Sequence, residues 1–133
     1  MSGKSALVIR VAIALALVSY CARGGDARVD QWLTYKGGDG PGKGKKIVFI
    51  TGDEEYRSEE SMPAMARILA QRHGFQTVVL FSINRDSGEI DPSIESNIPG
   101  LDALKDADLM VVFTRFRHLP EDQMAKFVDY VNS

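Results

Sequence analysis

The chain has 133 residues, enough for one domain, with 44% apolar and 26% charged residues. That balance describes a globular protein, not a disordered or fibrous one. Positive charge is scattered, with only Lys43, Lys45 and Lys46 close together, and this excludes the concentrated basic face that nucleic-acid binding requires.

Residues 1–27 read as a secretory signal peptide. Lys4 and Arg10 precede an apolar stretch, VAIALALVSYCA, that is short for a membrane span. Gly25 and Ala27 place cleavage after Ala27, with a site after Gly24 as second choice and an uncleaved anchor as the alternative. Tyr20 ahead of Cys21 disfavours a lipoprotein signal. The expected location is periplasmic or extracellular, with no stable membrane span after cleavage. Removing Lys4, Arg10, Arg23 and Asp26 from 16 basic and 18 acidic residues leaves 13 against 17, about −4. Cys21, the only cysteine, leaves with the signal, so the mature chain offers no disulfide, Cys nucleophile or Cys-ligated metal.

Residues 28–44, RVDQWLTYKGGDGPGKG, form a Gly-rich linker whose second half excludes regular structure. Trp32 and Tyr35 are expected to tuck against the domain as a clasp, with sugar binding as the alternative. The run GGDGPGKG precedes a strand and lacks a GK[ST] ending, so it is no phosphate loop.

The α/β domain occupies residues 45–133. Its first strand, 45–51, carries Ile47, Val48, Phe49 and Ile50 without alternation, the pattern of a parallel strand buried on both faces. Ser58 or Ser61 is expected to cap a helix running to His73, with Pro63 in its first turn and Gly74 as its left-handed stop. Met62, Met65, Ile68, Leu69 and Arg72 trace its expected core stripe. A second strand follows at 75–83, and a right-handed crossover joins the two. Residues 84–100 form a long polar loop, the kind that often rims a site. A short helix at 101–107, a strand at 109–114 and a helix at 120–131 complete the chain, with Met124, Phe127, Val128 and Val131 as the last helix's expected buried face.

Three parallel strands in a flavodoxin-like order, 2-1-3, make a sheet that is expected to be incomplete at the C-terminus. A fragment and a free-standing three-stranded domain are both compatible with that count. The order brings two loops together at the switch point: Gly52, Asp53, Glu54, Glu55, Tyr56 and Arg57 after the first strand, and Thr114, Arg115, Phe116, Arg117 and His118 after the third. Carboxylates facing guanidinium groups suit a polar or anionic ligand, and Tyr56 and Phe116 suit the face of a sugar. The alternative is that Glu–Arg pairs merely brace the loops. Arg115 and Arg117, one residue apart, can point oppositely. His73 sits at a helix end, and His118 is a lone imidazole, so neither marks a metal site. No G-x-S-x-G elbow is present, and no cofactor is indicated.

KKIVFITGDEEYRSEE, RHGF, GEIDP, NIPGLDAL and above all ADLMVVFTRFRHLPEDQM together resemble the trehalose-utilisation (ThuA-like) family, in particular exported members of planctomycete-type bacteria. The resemblance spans roughly residues 31–133. It implies a three-layer fold of the class I glutamine amidotransferase-like type and a role in carbohydrate utilisation. It also implies that the two loops wall a pocket for a sugar or sugar derivative, and that this chain stops before the turn that replaces the amidotransferase nucleophile elbow. A non-catalytic module that binds a ligand or partner protein is the alternative function.

Overall fold

The computed structural model describes residues 30–133. The expected signal segment and its cleavage site lie outside the described residues. The elements are β1 (Trp32–Tyr35), β2 (Lys46–Gly52), α1 (Ser58–His73), β3 (Gln76–Leu80), a 3-10 helix (Leu101–Asp106), β4 (Leu109–Thr114) and α2 (Glu121–Val131). Among them, no helix is long and apolar enough to cross a membrane.

The sheet runs β1-β3-β2-β4. β2 pairs in parallel with both β3 and β4, which is the expected 2-1-3 order. The expectation of three parallel strands is corrected by β1, which pairs antiparallel with β3 and makes the sheet mixed. The aromatic pair thus lies on a strand: Trp32 packs on one face of the sheet and Tyr35 on the other. Beyond Tyr35 the Gly-rich segment holds only turns.

β2 is central because, after Lys46 at its start, every residue on it can be buried. Ile47, Val48, Phe49 and Ile50 are all buried, two on each face. Ile47 and Phe49 join Val79 and Phe81 under Met62 and Ala66 of α1. Val48 and Ile50 join Val78 and Leu80 under Ile98, Leu101 and Leu104, with Phe127 and Tyr130 of α2 closing that side. Burying each large aliphatic or aromatic side chain contributes about 1.5–3 kcal/mol, so β2 is the chief stabilising strand.

Several local expectations change. α1 does begin at Ser58, but neither serine caps it: its N-cap position is Arg57, in the left-handed region at φ 53°. The Ser58 hydroxyl instead accepts from the N–H groups of Gly52 (3.1 Å) and Asp53 (3.0 Å), folding the strand end onto the helix start. Pro63 falls in the second turn, where it lacks the N–H that would reach Glu59. Gly74 ends the helix as expected, with φ 81° and its N–H on Ala70 O, while Phe75 N reaches Leu69 O at 3.3 Å. The buried stripe is Met62, Ala66 and Ala70, with Leu69 partly covered, whereas Met65 and Ile68 are exposed. The small alanines let the helix backbone approach the sheet, which turns the bulkier pair outward.

β3 leaves the sheet after Leu80, yet Phe81, Ser82 and Ile83 stay buried as the chain enters the long loop. There Ile83 N donates to Asn97 O (3.1 Å), Asn97 Nδ2 to Ile83 O (2.9 Å) and Asp91 N to Ser82 O (3.0 Å). The segment after it is 3-10, not α. Leu101 and Leu104, three apart and therefore eclipsed, both reach the core.

The expected buried face of α2 is corrected most. None of its residues is fully buried, and Met124, Val128 and Val131 are exposed. Phe127 and Tyr130 carry the packing, against Leu101 and Leu104. β4 is an edge strand, with Leu109 and Val112 exposed, so no further layer among the described residues covers the outer side of α2.

Candidate functional site

α1 covers one face of the sheet, and the 3-10 helix with α2 covers the other. The connections leaving β2 and β4 therefore diverge, and the carboxyl ends of these neighbouring strands form a switch point. Gly52 and Thr114 are register partners there, and Arg115 N donates to Gly52 O at 3.3 Å. All the predicted site residues cluster at this end of the sheet, but they divide sharply by what they do.

Asp53 is buried, and its Oδ1 accepts from Glu55 N (2.9 Å) and Tyr56 N (2.7 Å). It shapes the turn that displays the next residues. Gly52 is required by close approach: a Cβ there would lie 2.8 Å from Ser82 Oγ and 3.2 Å from Arg117 Nη1.

The two arginines of the β4 loop do point oppositely. Arg117 turns inward, its side chain only 8% exposed. Nε donates to Arg115 O (2.6 Å), Nη1 to Ser82 Oγ (2.9 Å) and Ile94 O (2.7 Å), and Nη2 to Pro92 O (3.0 Å). Glu54 lies 3.8 Å from Nη2. All three guanidinium nitrogens are thus engaged, and Arg117 is withdrawn from any ligand. It anchors the long loop beneath the site.

Arg115 faces outward, ion-paired with Glu55 across the two loops. Its guanidinium also lies 4.6 Å from the centroid of Phe116, a cation–π contact contributing about 0.5–1 kcal/mol at an exposed position. Tyr56 stacks on Phe113, centroids 6.2 Å apart at 24°. Both outer aromatics remain open to solvent, Tyr56 at 64% and Phe116 at 60%. Arg57 reaches away to Glu60, on its own helix.

His118 is fastened to the long loop at two points. Its N–H donates to Glu95 O (3.0 Å), and its Nδ1 lies 2.7 Å from Glu95 Oε2. Sequence reasoning missed Glu95 and Ser82, because tertiary folding alone brings residues 82–97 to the β4 loop. His73 lies at the far end of α1. Among the described residues, no group of three or more His, Cys, Asp or Glu side chains is placed to hold a metal ion.

Backbone strain marks the same place. Among the described residues, the non-glycine positions with positive φ are Arg57 (53°) and Phe116 (52°), one in each loop. Left-handed geometry costs an L-residue roughly 1–2 kcal/mol, and such strain concentrates at functional sites.

Comparison with family models, with curated proteins and with solved structures returned no match.

Proposed function

We propose that this chain is an exported ThuA-like domain that binds a sugar or sugar derivative at the β2/β4 switch point, in the service of carbohydrate utilisation. The observation that carries the reading is the paired strain: Arg57 and Phe116 hold the two facing loops in left-handed conformations beside two solvent-open aromatic rings. Aromatic faces suit the apolar face of a sugar ring, and the exposed Glu55–Arg115 pair supplies an acceptor and a donor for its hydroxyls. The resemblance of the β2 and β4 segments to the ThuA-like family supplies the ligand class.

Within that reading, binding is favoured over catalysis. Arg117 commits all three guanidinium nitrogens to internal hydrogen bonds, and Asp53 commits Oδ1 to two backbone N–H groups that shape its own turn. The ligand-facing set is Glu55, Tyr56, Arg115, Phe116 and His118.

The test is a titration with trehalose, glucose and a non-sugar polyol, following backbone amide resonances. A saturable shift confined to Glu55, Tyr56, Arg115, Phe116 and His118, abolished by Phe116→Ala, supports the proposal. Uniform small shifts, or saturation at residues remote from both loops, overturn it.

A further inference from the structure

Sequence reasoning treats His118 as a lone imidazole, yet its surroundings make it half of a pair. Nδ1 sits 2.7 Å from Glu95 Oε2, and the His118 N–H donates to the backbone oxygen of the same residue at 3.0 Å. Two contacts to one partner fix both the ring and the chain that bears it. Glu95 is itself anchored, because Arg117 holds Pro92 O and Ile94 O, the carbonyls just before it, from a buried guanidinium. Imidazole, carboxylate and anchor therefore form one assembly at the carboxyl end of β4.

The chemistry follows from the inventory of donors and acceptors. A carboxylate only accepts, so the short contact requires the proton on Nδ1. In the neutral ring the lone pair then resides on Nε2. This is the logic by which a hydrogen bond to one ring nitrogen selects the histidine tautomer. His118 is largely exposed, so the far edge of its ring is open to solvent.

We propose that Glu95 is a positioning residue that locks His118 in the Nδ1–H tautomer, presenting Nε2 as a hydrogen-bond acceptor towards a hydroxyl-bearing ligand. The ligand class rests on the sugar-binding reading above; the locked tautomer does not. As an acceptor, Nε2 takes a hydrogen bond from a ligand hydroxyl whose proton stays on its own oxygen, so no bond is broken.

The chain contains two histidines, and His73, exposed at the end of α1, serves as an internal reference. Long-range nitrogen–carbon correlation spectra of the protein read the tautomer of each ring. In parallel, mass spectrometry follows the rate at which diethyl pyrocarbonate modifies each ring. The expected result is the Nδ1–H form at His118 and faster modification than at His73. In Glu95→Ala, with an otherwise unchanged amide spectrum, His118 should lose that tautomer and fall to the His73 rate. An Nε2–H tautomer in the unmodified protein, or spectra and rates indifferent to Glu95→Ala, overturns the assignment. If the alanine variant disturbs the amide spectrum, the tautomer of the unmodified chain decides alone. Neither readout uses a sugar, so failure of the sugar-binding reading is separable from failure of this one.

Discussion

Arg117 Nη1 donates to Ser82 Oγ at 2.9 Å, joining the loop after β4 to the chain just beyond β3. The same nitrogen holds Ile94 O, and the neighbouring one holds Pro92 O, so a single buried guanidinium anchors the stretch 82–94. From sequence, residues 84–100 read as a long polar loop of the kind that rims a site, and these bonds tie its first part to the β4 loop.

Replacing Arg117 with Met keeps the aliphatic stem and strands the three carbonyls and one hydroxyl that it now serves. Charge-assisted bonds of this type are worth about 1.5–3 kcal/mol each in isolation and do not add. We expect a net loss of about 3 kcal/mol in urea unfolding, with amide exchange accelerated first at residues 83–97. Arg117→Lys should recover only part, since an ammonium cannot span acceptors on both loops. Equal stability of all three proteins would show that the rim is held elsewhere.

Asp53 offers a sharper contrast between structural and chemical roles. Its carboxylate accepts two N–H groups, and an amide oxygen can accept the same two. Asp53→Asn should therefore leave both the fold and ligand binding near normal. Asp53→Ala should cost about 1–2 kcal/mol by freeing the turn. If Asn abolished binding while melting normally, the carboxylate would have a chemical role that its present bonds do not indicate.

The order of β2, α1, β3 and β4 is legible in sequence because each element has a strong local signal: an unbroken apolar run, a Gly74 stop, an LMVVFT strand. The two loops follow directly from that order. β1 is not legible, because Trp32–Tyr35 has only four residues and owes its extended form to pairing with β3. Ser58 reads as a cap, since the pattern before a helix cannot show that its hydroxyl turns back to β2. The inward turn of Arg117 and the approach of Glu95 to His118 depend on where the long loop folds, and no local spacing encodes that.

Acid sensitivity should come from the opposite end of the sheet. The Lys45 ammonium, with the Lys46 N–H, holds the Asp108 carboxyl below its ordinary value of 3.8. A bond from the Lys46 side chain lowers Asp106 likewise. A carboxyl whose folded value is depressed contributes stability that is present above about pH 4 and is lost as pH falls through the lower folded value. These groups are exposed, so the effect is modest and screened by salt. We expect Asp108→Asn, which can still accept from Lys46 N–H, to flatten the acid limb of Tm against pH. Molar salt should produce a similar flattening in the unmodified protein. An acid limb that keeps its slope in both experiments would place the responsible carboxyls elsewhere.

β4 presents the remaining physical problem. Leu109–Thr114 is a six-residue edge strand without a charge or a proline, and α2 beside it exposes Met124, Val128 and Val131. Edges are usually blunted by lysine, proline or short length. β1 at the other edge has the short length, and β4 has none of these devices. We expect light scattering of the protein to rise with concentration. Val112 is already half exposed, so Val112→Lys should place a charge on that edge at little cost, within about 0.5 kcal/mol in unfolding, and suppress the rise. Lysine at Ile68, somewhat more exposed and on α1, should leave scattering unchanged. If both substitutions acted alike, general charge would be the cause; an effect confined to Val112 identifies the unpaired backbone of β4 as the surface through which chains meet.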